Sequence, residues 1–159
     1  MSSAMPPVAH AGECDCERVR GGFFGQPVNS TTSAAFLAGA VIVAARGSSR
    51  RRWWAGVLAW LGCGSIGFHG PGTIRGKQLH DTSIIALVAT IAAGVGHRHR
   101  LLLPTGACAA TALVCYPFSR TVSPNCDPDS PWQLHGAWHV LSAGAITLWA
   151  LGEAPRCEA

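Results

Sequence analysis

His135 and His139 stand four apart in the run Trp-Gln-Leu-His-Gly-Ala-Trp-His. On a helix that spacing stacks both imidazoles on one face, the geometry with which histidine pairs chelate a metal ion. His69 is the available third ligand once the end of its segment lies beside the start of theirs. Three imidazoles leave a fourth position open to water, the pattern of a catalytic rather than a structural zinc site. Nitrogen ligands favour zinc, copper, nickel or iron over calcium or magnesium. Ser65 lies one turn before His69 on the same helical face, and Asp81 can reach the open position from the next segment. The plain rival is that these histidines are hydrogen bonders between packed helices. Haem is excluded as a shared ligand of the pair, because two residues on one helix face cannot bind a porphyrin from opposite sides. His80 reads as a supporting or interfacial group, His97 and His99 as solvated charge in a loop, and His10 as part of a tail.

The elements that must position these residues are marked by the gaps between charges. The 159 residues are 48% hydrophobic and 13% charged, where soluble globular proteins carry roughly a quarter charged residues. That balance excludes a disordered chain. No stretch interleaves basic and aromatic residues, so nucleic acid is set aside as a partner. Apart from a few polar residues, Asp81 among them, five runs of helical length emerge between the charges, at 31–45, 53–68, 78–95, 101–118 and 132–151. Each has about 15 to 20 residues, the lower edge of what spans a bilayer. A soluble bundle would show Lys and Glu along one face of every helix, and those faces are missing. Small residues on all sides suit close helix packing in a membrane instead. The expected fold is therefore all-α, a polytopic membrane bundle of about five transmembrane helices. Residues 1–30 form an extracytoplasmic segment, 31–152 the helical domain and 153–159 a cytoplasmic tail. No signal peptide is read in the first thirty residues, which leaves the first span to act as a signal anchor.

Basic residues set the expected orientation. Arg46, Arg50, Arg51 and Arg52 follow the first span, and Arg98 and Arg100 follow the third. These loops belong in the cytoplasm, with the N-terminus outside and the C-terminus inside. Ser65, His69, Asp81, His135 and His139 then fall at the same outer end, and so do Cys14, Cys16 and Cys126, which could supply one disulfide. Ionisable groups at membrane depth are costly and mark function.

Three blocks together resemble the alkaline ceramidase family, within the wider superfamily of seven-helix membrane hydrolases and receptors that includes the progestin and adiponectin receptors. They are Cys-Glu-Arg-Val-Arg-Gly-Gly-Phe-Phe-Gly-Gln-Pro-Val-Asn-Ser at 16–30, Gly-Ser-Ile-Gly-Phe-His-Gly with the later His-Asp, and His-Gly-Ala-Trp-His at 135–139. The resemblance implies zinc on His69, His135 and His139, Asp81 near an activated water and Ser65 beside the reacting carbonyl. It implies hydrolysis of an amide in an N-acyl membrane lipid, with Asp81 passing a proton to the departing amine and Ser65 donating to the oxyanion. Five spans in place of seven make this a reduced version of the fold, whose missing wall a second copy could restore. The family's calcium site implies Ca2+ at Asp15, Glu17 and Asn29, with Gln26 standing where an acid is expected. The alternatives are a non-catalytic receptor-like or structural zinc protein, and a metal transporter. Clustering of every ligand at one end argues against the transporter.

Overall fold

The computed structural model describes residues 12–46, 49–94 and 101–152; the tail 153–159, the loop histidines His97 and His99, and His10 lie outside them. The described chain is all helical apart from its loops. Pro27 opens α1 (Pro27–Thr32), where its missing N–H costs no hydrogen bond. Glu17 caps that start from a distance, its two carboxylate oxygens each accepting a backbone N–H, from Val28 and Asn29, at 2.7 Å. Ser33 keeps right-handed helical angles, φ −61° and ψ −22°, so α1 continues into α2 (Ala34–Ala44) as one 18-residue rod. Then follow α3 (Ser49–His69), α4 (Ile74–Gly94), α5 (Leu102–Phe118) and α6 (Leu134–Gly152). The five runs thus become five helical rods. Pro104 falls in the first turn of α5, and Pro117 sits next to its last residue, where it ends the helix.

The rods form an open arc. In space their order is α4, α3, the α1–α2 rod, α6, α5; among the described residues α4 packs on α3 alone and α5 on α6 alone. Phe36, Val43, Trp54, Leu58, Ile146 and Ala150 fill the middle, so the core lies between α2, α3 and α6. The concave side of the arc, between α4 and α5, holds a cavity of about 610 Å³ lined by residues of every rod from α2 to α6.

The α3–α4 pair is held at backbone distance. A Cβ on Gly76 would lie 2.1 Å from the Gly67 carbonyl oxygen, and one on Gly64 would lie 2.8 Å from the His80 backbone. Only glycine permits that approach, the device by which small residues bring membrane helices together. It fixes which face of α4 looks at the end of α3.

Among the described residues one helix, Pro27–Ala44, is long and apolar enough to cross a membrane, while Leu102–Phe118 is apolar but shorter. The reason is local. Helix α4 carries Arg75, Lys77, His80 and Asp81 in its first turns, α3 begins with a run of arginines, and α6 includes His135 and His139. In α6 the diluting groups are two of the histidines themselves, whereas in α3 and α4 they are charges near the helix starts.

Gly76→Ala should lower the thermal unfolding midpoint of the detergent-solubilised protein, with an overpacking cost of about 1–3 kcal/mol. Gly56→Ala, whose Cβ would meet nothing within 4 Å, should leave the midpoint unchanged or raise it. Equal midpoints for the two variants would refute the glycine contact.

Candidate metal centre

Three elements deliver the ligands: His69 ends α3, and His135 and His139 occupy the first two turns of α6. All three are buried, and one ligand atom from each lies within 4.8 Å of the others. Ring centroids are 4.6 to 4.9 Å apart pairwise. Among the described residues this is the one group of three histidine, cysteine or acidic side chains placed to share an ion.

The outer nitrogens decide what the inner ones offer. Gln26 Nε2 donates to the carbonyls of Gly12 and Glu17 at 2.8 and 2.9 Å, which leaves its Oε1 to accept from His69 Nδ1 at 2.8 Å. Thr32 Oγ1 and Ser33 Oγ donate to the carbonyls of Val28 and Asn29, both at 2.7 Å. Each hydroxyl is therefore an acceptor toward His139 Nδ1, at 3.2 and 3.3 Å. Ser119 Oγ donates to the Tyr116 carbonyl at 2.6 Å and accepts from His135 Nδ1 at 3.1 Å. Every Nδ1 faces an acceptor, so each ring keeps its proton there and its Nε2 carries the lone pair. Outer partners that fix tautomer and ring orientation are the usual support of metal-binding histidine. Three neutral imidazoles with lone pairs available fit a borderline metal such as zinc.

Of the residues singled out from sequence, Ser65 joins the cluster. It is buried, with Oγ 3.4 Å from His139 Nε2 and 2.9 Å from Ser33 Oγ. Asp81 does not join it. Its side chain is 48% exposed, paired with Lys77 one turn earlier and 3.2 Å from His80 Nδ1. The residue of α4 that faces the cluster is His80, which stacks on Phe68 with ring centroids 4.9 Å apart and lines the cavity. The two acids expected to hold calcium make other contacts. Glu17 caps α1 and Asp15 pairs with Arg120 at 2.5 Å, while neither amide atom of the buried Asn29 side chain makes a hydrogen bond among the described residues. Among the described residues no group of carboxylates converges on one point.

The N-terminal segment is stitched across the site by a disulfide between Cys16 and Cys126, with Cys14 left as an exposed thiol. Arg18 grips Asp129 with two hydrogen bonds, of 2.8 and 2.7 Å, and holds that carboxyl below the usual carboxylate range. Gln26, Thr32, Ser33 and Ser119 were not foreseen as partners of the histidines. The one sequence signal was Gln26 itself, an amide in a position where an acid was expected.

Gln26→Ala should weaken transition-metal binding about 10–100-fold, the usual effect of removing an outer partner of a ligand, measured by competition with a chelator. Ser65→Ala, which leaves every Nδ1 acceptor to the rings in place, should bind as the wild type does. Unchanged affinity in Gln26→Ala would show that the tautomer of His69 is set by something else. Comparison with protein-family models, with curated proteins and with solved structures finds no match.

Proposed function

We propose that the chain is a multi-pass membrane hydrolase that holds zinc on His69, His135 and His139 and cleaves the amide bond of an N-acyl lipid, a ceramidase-like activity on linear amides. One observation carries this reading: the cluster borders an apolar cavity of about 610 Å³ through His139, which lines it together with Ser65 and His80, with Leu87, Ile91 and Trp149 among its walls. At the ~30 Å³ of a water-sized group, that volume holds on the order of 20 methylenes, one long acyl chain. The chain would lie between α4 and α5, where the arc is open, and its carbonyl would meet the imidazole end.

The distribution of side chains supports the membrane. Large apolar groups point outward, among them Val41, Ile85, Leu103 and Val114, while Asp15, Glu17, Gln26, Asn29 and the three histidines are buried. Water favours the opposite arrangement. In this reading all five rods cross the bilayer. The end bearing the disulfide faces the oxidising side, and the end bearing Arg46 and the arginines that begin α3 faces the cytoplasm.

A zinc ion held by His69, His135 and His139 would supply a Lewis acid that polarises a carbonyl and makes water nucleophilic near neutral pH. The chain's residues do the rest. The Ser65 hydroxyl, which rests against Ser33 Oγ, turns to donate to the oxygen of the reacting carbonyl. Proton transfer falls to α4. Asp81, the residue expected there, reaches the cavity through His80: it accepts from His80 Nδ1 and leaves Nε2 as the base that takes a proton from water and returns it to the departing amine. The apolar walls exclude water from the rest of the substrate.

The position of Asp81 favours a second reading, a receptor-like or structural zinc centre without turnover, because among the described residues no carboxylate lines the cavity. The deciding experiment is elemental analysis of the purified protein, followed by incubation with N-acyl lipids and assay of the released amine. The proposal expects about one zinc per chain, lost in His135→Ala, together with amine release. Zinc without release selects the second reading, and absence of zinc from the wild type overturns both. Ala109→Trp, which fills the cavity, should retain the zinc and shift cleavage to shorter acyl chains.

A further inference from the structure

Among the described residues of the N-terminal segment, a single charged side chain reaches the imidazole cluster. Residues 14–16 pair with residues 119–121 as a short antiparallel clasp: Cys16 N–H donates to the Ser119 carbonyl at 2.8 Å, and Thr121 N–H donates to the Cys14 carbonyl at 3.1 Å. The disulfide from Cys16 to Cys126 closes the clasp, tying together positions 110 residues apart. Asp15 lies at its centre, 2% exposed. Its Oδ1 is 3.5 Å from His135 Nδ1 and its Oδ2 is 3.7 Å from His69 Nδ1. The same clasp carries Ser119, the acceptor for His135.

Building on the metal-centre reading above, we propose that Asp15 is the positioning residue of that centre, one buried carboxylate set behind His69 and His135 together, and that the Cys16–Cys126 clasp holds it there. The argument is electrostatic. Three neutral imidazoles bring no charge to a divalent cation, and a buried ion without a counter-charge is strongly disfavoured. Asp15 supplies that charge through the two rings that touch the ion. The hydrogen bonds to Gln26 and Ser119 are shorter and set the tautomers, whereas the carboxylate sets the basicity of the rings. Arg120 shares Oδ1 and fixes its direction, but its side chain is one-third exposed, so water screens the guanidinium more than the carboxylate. Glu17, the other buried acid, turns both oxygens to Val28 and Asn29 and cannot substitute.

The test measures zinc and cobalt(II) affinity by chelator competition for the full-length wild type, for Asp15→Asn and for the double variant Cys16→Ser with Cys126→Ser. Asp15→Asn keeps the shape and removes the charge. Both variants should bind about 10–100-fold more weakly than wild type, and combining them should cost no more than the larger single effect, because both act through the same carboxylate. The cobalt(II) ligand-field bands, which read the donor strength of the rings and not the stability of the fold, should shift in Asp15→Asn. Wild-type affinity and an unshifted spectrum in Asp15→Asn would overturn the proposal while leaving the metal centre intact. If Asp15→Asn does not fold, the disulfide variant decides by the same two readouts. A wild type that binds neither metal overturns the metal-centre reading, and this proposal with it.

Discussion

Each imidazole in the cluster must have its outer nitrogen satisfied before its inner nitrogen can serve a common centre. The rest of the structure follows from that requirement. Water cannot supply the outer acceptors, because His69, His135 and His139 are buried. The protein provides them from three different places: the segment before α1 for His69, the junction of α1 and α2 for His139, and the turn after α5 for His135. No two rings depend on the same hydroxyl or amide. The N-terminal segment is therefore part of the site, and α1 has to start where Gln26 can reach the end of α3. The backbone bond from Gln26 N–H to the His69 carbonyl, 2.9 Å, joins those two points directly.

The second constraint is the open arc. A bundle in which α4 met α5 would close over its own centre, with only apolar side chains inside. Because those two helices do not touch, the interior is a cavity with one polar end. The site and the cavity share His139 and Ser65, so the same helix turns that hold the ligand also define the head of the apolar channel. Geometry of this kind allows a long apolar molecule to be held along its length while a single bond is presented to the imidazoles.

Much of this was legible in the residues. The charge gaps located all five rods, since charges in α3 and α4 sit near the helix starts and leave the remainder of each helix apolar. The i,i+4 pair and His69 were legible from spacing and polarity. The misplacement of Asp81 has a specific origin. Neighbouring residues on a helix point about 100° apart, so which of His80 and Asp81 faces the cluster depends on the rotation of α4. That rotation is set by the contact of Gly76 with Gly67, a property of two helices in space and not of either alone. The acids read as a calcium site are engaged elsewhere for a related reason. Acidic residues in one block suggested a shared cation, but Asp15 meets Arg120 across 105 positions of sequence and Glu17 meets the backbone of α1. Local spacing carries no trace of either contact.

The clasp also orders events in time. Cys126 is made 110 residues after Cys16, a delay of roughly 6–20 s at ribosomal rates of about 5–20 residues per second. Cys14 lies two residues from Cys16 and is a second candidate for the same partner. The backbone pairing of residues 14–16 with 119–121 is what distinguishes them, because it aims Cys16 at Cys126. The chain must dock before it is oxidised; a cell that oxidises it early would collect isomers joined through the wrong sulfur.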